Sequence, residues 1–201
     1  MAHLSRKDRT LARLIRDVGP CRLDIAPRQS PYEALLESIV YQQLTGKAAA
    51  TIYGRVCASL GSRRCPRPER VAESTVEELR TAGLSRSKAA AVKDLADKAL
   101  AGEIPTRRAA EKLSDAELVE CLTTVRGIGT WTVEMFLIFT LGRPDVLPLD
   151  DYGVRKGYAR TFGRDVLPKP KELATLGEKW RPFRTTASWY LWRALDLDAK
   201  A

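Results

Sequence analysis

The stretch VRGIGTWTVEMFLIFTLGRPDVLPLDDYGVRKG, residues 125–157, carries the features on which the reading of this chain turns. Between the helical patterns Glu117–Thr123 and Thr130–Leu141, the segment VRGIG is too short for anything but a tight helix-to-helix turn. Gly127 and Gly129 can take positive φ and let another backbone come close. The amides at the start of the second helix, with the positive end of its dipole, then face outward and suit an anion of phosphate size. An ordinary αα-hairpin with a glycine cap satisfies the same five residues. Ten residues past the apolar run stands a carboxylate pair, Asp150-Asp151.

Helical periodicity extends outward in both directions. RTLARLIRDVGP sets Leu11, Leu14, Ile15 and Val18 on one face and stops at Gly19-Pro20. Ser30-Pro31-Tyr32-Glu33 has the form of a capping box, and Thr45-Gly46 divides the following apolar pattern into two helices. Ser74-Thr75-Val76-Glu77 opens a short helix ending at Gly83. Ser85 caps RSKAAAVKDLADKALAG, which stops at Gly102, and Ser114-Asp115-Ala116-Glu117 is a further box. A last long helix is expected over Ala187–Leu195, with Trp180, Phe183 and Trp189 in the core. Nothing alternates with a period of two, so the fold class is all-α.

Lys and Arg number 34 against 25 Asp and Glu, a net charge of +9, which favours a polyanionic partner as well as solubility. The four cysteines, Cys21, Cys57, Cys65 and Cys121, form no C-x-x-C pair, and His3 is the one histidine. That composition argues against zinc, an iron–sulfur cluster or a disulfide framework, and for reduced, buried thiols. The charged start, MAHLSRKDRTLARLIRDVG, lacks the apolar centre of a signal peptide, and no run is long enough to span a bilayer. A soluble intracellular protein is expected.

Five segments, QQLTGKAAA, GLSRSKAAAVKDLA, GIGTWT, LPLDDYGVRKG and W-R-P-F-R…W, stand in the order that resembles the helix-hairpin-helix DNA glycosylase superfamily. Within it the chain resembles the branch of 3-methyladenine DNA glycosylase II, over roughly Ser30 to Leu195. The resemblance implies one two-lobed glycosylase domain over residues 1–201. Lobe one would span about 31–144 with the hairpin at 115–141, and lobe two would join about 1–30 to 145–201. Longer bacterial members carry an N-terminal β-rich domain for which this chain has no room.

The implied activity is monofunctional hydrolysis of the N-glycosidic bond of alkylated purines, of the 3-methyladenine and 7-methylguanine type. The base is flipped out and an abasic site is left for base excision repair. Breaking the bond from C1′ to nitrogen leaves positive, oxocarbenium-like charge on the sugar, and a nearby carboxylate stabilises it and can orient or deprotonate water. The family motif assigns that role to Asp151, 20 residues after Trp131, leaving Asp150 to cap the helix that begins near Tyr152. For a bare Asp-Asp, both residues acting as caps is the plain alternative. Activity should fall at low pH, since the carboxylate must be ionised. Bifunctional members have lysine where this chain has Trp131; an indole forms no Schiff base, so no strand-cutting activity is expected.

The resemblance also places Leu44 as the wedge that fills the gap, with Gln42 and Gln43 at minor-groove base edges. Leu44 in the core and exposed glutamines remain the alternative. Trp131, Met135, Tyr152 and Trp192 would line the base pocket, Met135 standing where relatives carry an aromatic. Gly127, Gly129, Thr130 and Lys47 would hold phosphates, and the carbonyls of Thr123, Val125 and Ile128 a monovalent cation, Na+ or K+. No other cofactor is implied. The partner would be double-stranded DNA with a damaged base, met by a monomer in the cytoplasm at the nucleoid or in a nucleus. Two competing readings are a non-catalytic helix-hairpin-helix DNA-binding module and a glycosylase for another lesion.

Overall fold

The computed structural model describes residues 1–26 and 29–197. Among them lie thirteen α-helices, one 3-10 turn and no strand. α1 (Ala2–Lys7) and α2 (Arg9–Val18) precede α3 (Pro31–Tyr41) and α4 (Gly46–Ser59). The short α5 (Pro68–Glu73) and α6 (Val76–Thr81) lead to the long α7 (Arg86–Leu100). α8 (Arg107–Ala110), α9 (Asp115–Leu122) and α10 (Thr130–Phe139) come next. α11 (Tyr152–Thr161), α12 (Pro170–Gly177), the 3-10 turn Glu178–Trp180 and α13 (Arg184–Ala194) complete the order.

Most helices start where a short polar side chain can satisfy an orphan amide. Ser30 accepts from Glu33 N, Thr45 from Ala48 N, and Ser85 from Lys88 N. Thr75 with Glu78 and Ser114 with Glu117 form reciprocal capping boxes. No helix among the described residues is long and apolar enough to cross a membrane.

The chain divides into two compact units, Met1–Ala26 with Leu137–Ala201, and Pro27–Phe136. The core of the first collects Leu4, Leu11, Leu14, Val154, Tyr158, Leu173, Trp180, Tyr190 and Leu191. α11 packs on α13, and Gly157 permits the close approach: a Cβ there would overlap the Leu191 carbonyl. In the second unit α7 packs on α3 and α5, burying Ala89, Val92, Leu95 and Ala96.

Some expectations need correction. α13 begins three residues earlier than Ala187, and Pro68 opens a short helix ahead of the one expected from Ser74. Trp180 is fully buried, but Trp189 is half-buried and Phe183 is 39% exposed, its ring edge-on to His3. All four cysteines are free, yet only Cys57 is buried.

Asp8, between α1 and α2, anchors the first unit. Its Oδ1 caps α2 through Thr10 N and Leu11 N, while Oδ2 accepts the Trp180 indole N–H at 3.1 Å and the Lys179 ammonium at 2.8 Å. Burial alone would raise this carboxyl, but Lys179, Leu11 N–H and the indole together hold it below the ordinary 3.8. A depressed folded-state value means the contribution to stability is complete above that ordinary value and is lost as pH falls through the lower one. Asp8→Asn keeps a capping oxygen but loses the charge, and should cost about 1–2 kcal/mol near neutral pH. Urea melts of both proteins from about pH 2 to about pH 6 (roughly two units either side of the carboxylate range) should show that gap closing in acid.

Candidate active site and nucleic-acid interface

In the first unit, the segment 142–151 is clamped to the start of α13. Asp145 takes the Arg184 guanidinium at 2.7 Å and 3.0 Å and Arg181 at 2.6 Å. Thr185 Oγ1 donates to the Arg143 carbonyl and accepts Val146 N–H. This clamp delivers Leu149, Asp150 and Asp151 to the head of α11.

Asp151, not Asp150, is the N-cap of α11. Its Oδ1 accepts Val154 N–H at 2.7 Å and the Trp192 indole N–H at 2.8 Å, and the residue is 9% exposed. Asp150 is exposed. The expectation that Asp150 caps this helix is therefore wrong: the chain enters the helix one residue later, and the extended backbone of Asp151 (φ −67°, ψ 118°) is the one suited to the role. Two donors on one oxygen hold the carboxylate in a single orientation.

Gly153 is what lets this pair form. A Cβ on it would lie 2.9 Å from Trp192 Cδ1 and 3.1 Å from Asp151 Oδ1, so any side chain would push the indole off the acid. The Trp192 ring stacks on Phe139, ring centroids 5.8 Å apart at 23°. Tyr152 is 63% exposed with the Lys156 ammonium over its ring. Phe139 and Gly153 escaped the sequence reading. Phe139 had a signal, since Trp131, Met135 and Phe139 recur at four-residue steps along α10. They are exposed, half-buried and exposed, while Val133, Phe136, Leu137 and Ile138 are buried.

In the second unit, α9 and α10 form the hairpin. Val125 N donates to the Leu122 carbonyl, Ile128 N to Val125, and Thr132 N and Val133 N to Gly129. Of the two glycines that can take positive φ, Gly127 does so, at +79° in the left-handed region, and Gly129 lies outside it. A Cβ on Gly129 would meet no atom of the chain within 4 Å, so internal packing does not demand glycine there. Val125 and Ile128 are buried beneath the turn.

The four residues between α3 and α4 form the second element. Leu44 is 39% exposed, which removes the core alternative, and Gln43 carries φ +57°. Gln42 Nε2 donates to the Gly127 carbonyl at 2.9 Å, so this turn is tied to the hairpin. Lys47 is exposed at the head of α4. No group of three or more His, Cys, Asp or Glu side chains placed to hold a metal occurs among the described residues.

Residues 36–182 match the HhH-GPD superfamily of base excision DNA repair proteins, and the chain belongs to that family. It is 36% identical to the alkylbase DNA glycosidase-like protein mag2 of Schizosaccharomyces pombe, over 98% of this chain and 93% of the relative. The fold is that of the S. pombe 3-methyladenine DNA glycosylase solved with abasic DNA, at TM-score 0.86, 39% identity, and coverage of 96% of this chain and 94% of that one. A DNA-3-methyladenine glycosidase from Bacillus halodurans gives TM-score 0.87 at 34% identity, over 98% and 89% of the two chains.

The capping role of Asp151 separates stability from charge. Asp151→Ala removes the acceptor for Val154 N–H and the indole and should lower stability by about 1–3 kcal/mol. Asp151→Asn retains a capping oxygen and should unfold within about 1 kcal/mol of the parent. Chemical denaturation of the three proteins measures the difference.

Proposed function

We propose that this chain is a monofunctional DNA glycosylase that hydrolyses the N-glycosidic bond of alkylated purines, of the 3-methyladenine and 7-methylguanine type, and leaves an abasic site. The observation that carries the reading is Asp151, a carboxylate fixed by a helix amide and an indole within a basic chain of this family. As the purine leaves, C1′ gains positive charge, and a carboxylate already oriented stabilises it without reorganising. The same group can accept a proton from the attacking water. The leaving electron pair goes to the purine nitrogen, and alkylation has already made that base electron-poor.

Trp131, Met135, Tyr152 and Trp192 would receive the flipped base, and an electron-poor purine stacks well on indole and phenol rings. Phe139 joins this set as the ring that backs Trp192. Leu44 would fill the vacated stack while Gln42 and Gln43 meet base edges. The main-chain amides at Gly127, Gly129 and Thr130, with Lys47, would bind phosphates. The open space at Gly129 supports this, because a group from outside can approach where a side chain would stand. Main-chain oxygens of Thr123, Val125 and Ile128 are hard, neutral donors that suit Na+ or K+, which would add positive charge beside a phosphate. Trp131, in the place of a Schiff-base lysine, leaves no amine at that position to cut the strand. The protein would act as a monomer on damaged duplex DNA in whichever compartment holds that DNA.

Incubation with duplex DNA bearing an alkylated purine should give free base and alkali-labile sites, with no nicking before alkali. Asp151→Asn should lower release about 100- to 1000-fold. DNA binding without release by the parent would leave only a DNA-clasping module. Trp192→Phe keeps an aromatic ring but removes the donor to Asp151, and should slow single-turnover release about 10- to 100-fold with little change in binding.

A further inference from the structure

The opening of α7 and the turn before it, GLSRSKAAAVKDLA, have no task in the reaction proposed above. Two of its side chains nevertheless reach the turns assigned to DNA. Lys88 Nζ donates to the carbonyl of Val40 at 2.7 Å and to that of Gln42 at 2.5 Å, at the C-terminal end of α3. Six residues on, Asp94 Oδ2 accepts Arg126 N–H of the hairpin turn at 2.7 Å, and its Oδ1 pairs with Lys98 at 2.8 Å. Between them Gln42 Nε2 donates to the Gly127 carbonyl, and the Ala91 methyl sits 3.6 Å from where a Gly127 Cβ would be.

The turn so gripped carries a strained residue. Gln43 at φ +57° is in the left-handed region, which costs a non-glycine residue about 1 kcal/mol or more. Leu44 N donates back to Tyr41 O, closing a tight turn that leaves the leucine outward. A lysine on the last carbonyls of a helix stops the chain from winding on and favours this geometry over its alternatives. A wedge must also be stiff: a side chain that wanders loses, as ordering entropy, part of what intercalation gains.

We propose that Lys88 is a positioning residue for base flipping. Through the Val40 and Gln42 carbonyls it fixes the turn that presents Leu44, and with Asp94 it keeps that turn in register with the hairpin. The inference rests on the glycosylase reading above. Lys88 acts through Leu44 and not by touching DNA, because two of the three N–H donors of its ammonium are held by main-chain oxygens.

A double-mutant cycle of Lys88→Met and Leu44→Ala tests it, using single-turnover release of 7-methylguanine from two duplexes. In one the lesion is paired with cytosine; in the other it faces an abasic site and needs no unpairing. On the paired duplex Lys88→Met should slow release about tenfold, as Leu44→Ala does, and the double variant should be no slower than either. On the unpaired lesion Lys88→Met should stay within about twofold of the parent. Multiplicative losses in the double variant, equal losses on both duplexes, or no loss on the paired one would overturn the proposal. So would a fall of about one in the salt slope for undamaged DNA, the mark of a lost phosphate contact. If Lys88→Met does not fold, Lys88→Gln, which keeps an amide donor, goes through the same cycle and should show the same pattern with a smaller loss on the paired duplex; equal losses on both duplexes or multiplicative losses with Leu44→Ala would overturn the proposal as before. A parent inactive on both duplexes overturns the glycosylase reading itself, and this inference with it.

Discussion

One oxygen atom organises the first unit's half of the chemistry. Asp151 Oδ1 begins α11 by accepting Val154 N–H, and it accepts the Trp192 N–H from α13. Because both donors meet on one atom, the helix start and the aromatic wall cannot be moved independently. The glycines of LPLDDYGVRKG follow from that constraint. Gly157 lets α11 press against the Leu191 carbonyl, and Gly153, one turn earlier, leaves room for the indole to lie over the helix start. Close helix packing and an oriented carboxylate are therefore two aspects of a single contact between α11 and α13.

This arrangement reconciles a cap with a reactive group. An N-cap needs only an oxygen acceptor, whereas stabilising a sugar cation needs negative charge. An aspartate supplies both, and its asparagine counterpart supplies only the first. On the function proposed above, capping and catalysis would thus fall on the same residue, with Asp150 left to solvent.

What the sequence made legible were features set within a few residues: the capping box at Ser114, Pro31 at the start of α3, the break before Gly46, and the VRGIG turn, whereas the pattern read from Ser74 to Glu77 is a box one residue later, Thr75 with Glu78. What it hid were choices made by distant parts of the chain. The aspartate that caps α11 is the one that also meets the Trp192 indole, 41 residues away. Which of two glycines must turn left-handed depends on how Ile128 folds back on Val125. Phe139 was readable as the third member of a four-residue stripe but is indistinguishable by type from the buried Phe136 beside it. Phe183 reads as core by composition and lies outside it, next to His3, because the chain there is still turning into α13.

The same distinction explains why an apparently plain helix matters. A lysine and an aspartate on α7, six residues apart, read as surface charge on an amphipathic helix. Their targets are main-chain groups, Val40 O, Gln42 O and Arg126 N–H, which no side-chain pattern reveals. Main-chain groups at turns are the parts of a fold most free to adopt another conformation, so a charged side chain bound to them selects one. In the second unit that selection falls on the two turns that would meet DNA, and in the first the Asp151–Trp192 contact performs the corresponding selection on the acid proposed to react. Each set is fixed by hydrogen bonds inside its own unit, so the order that catalysis requires is built by folding and need not be supplied by the substrate.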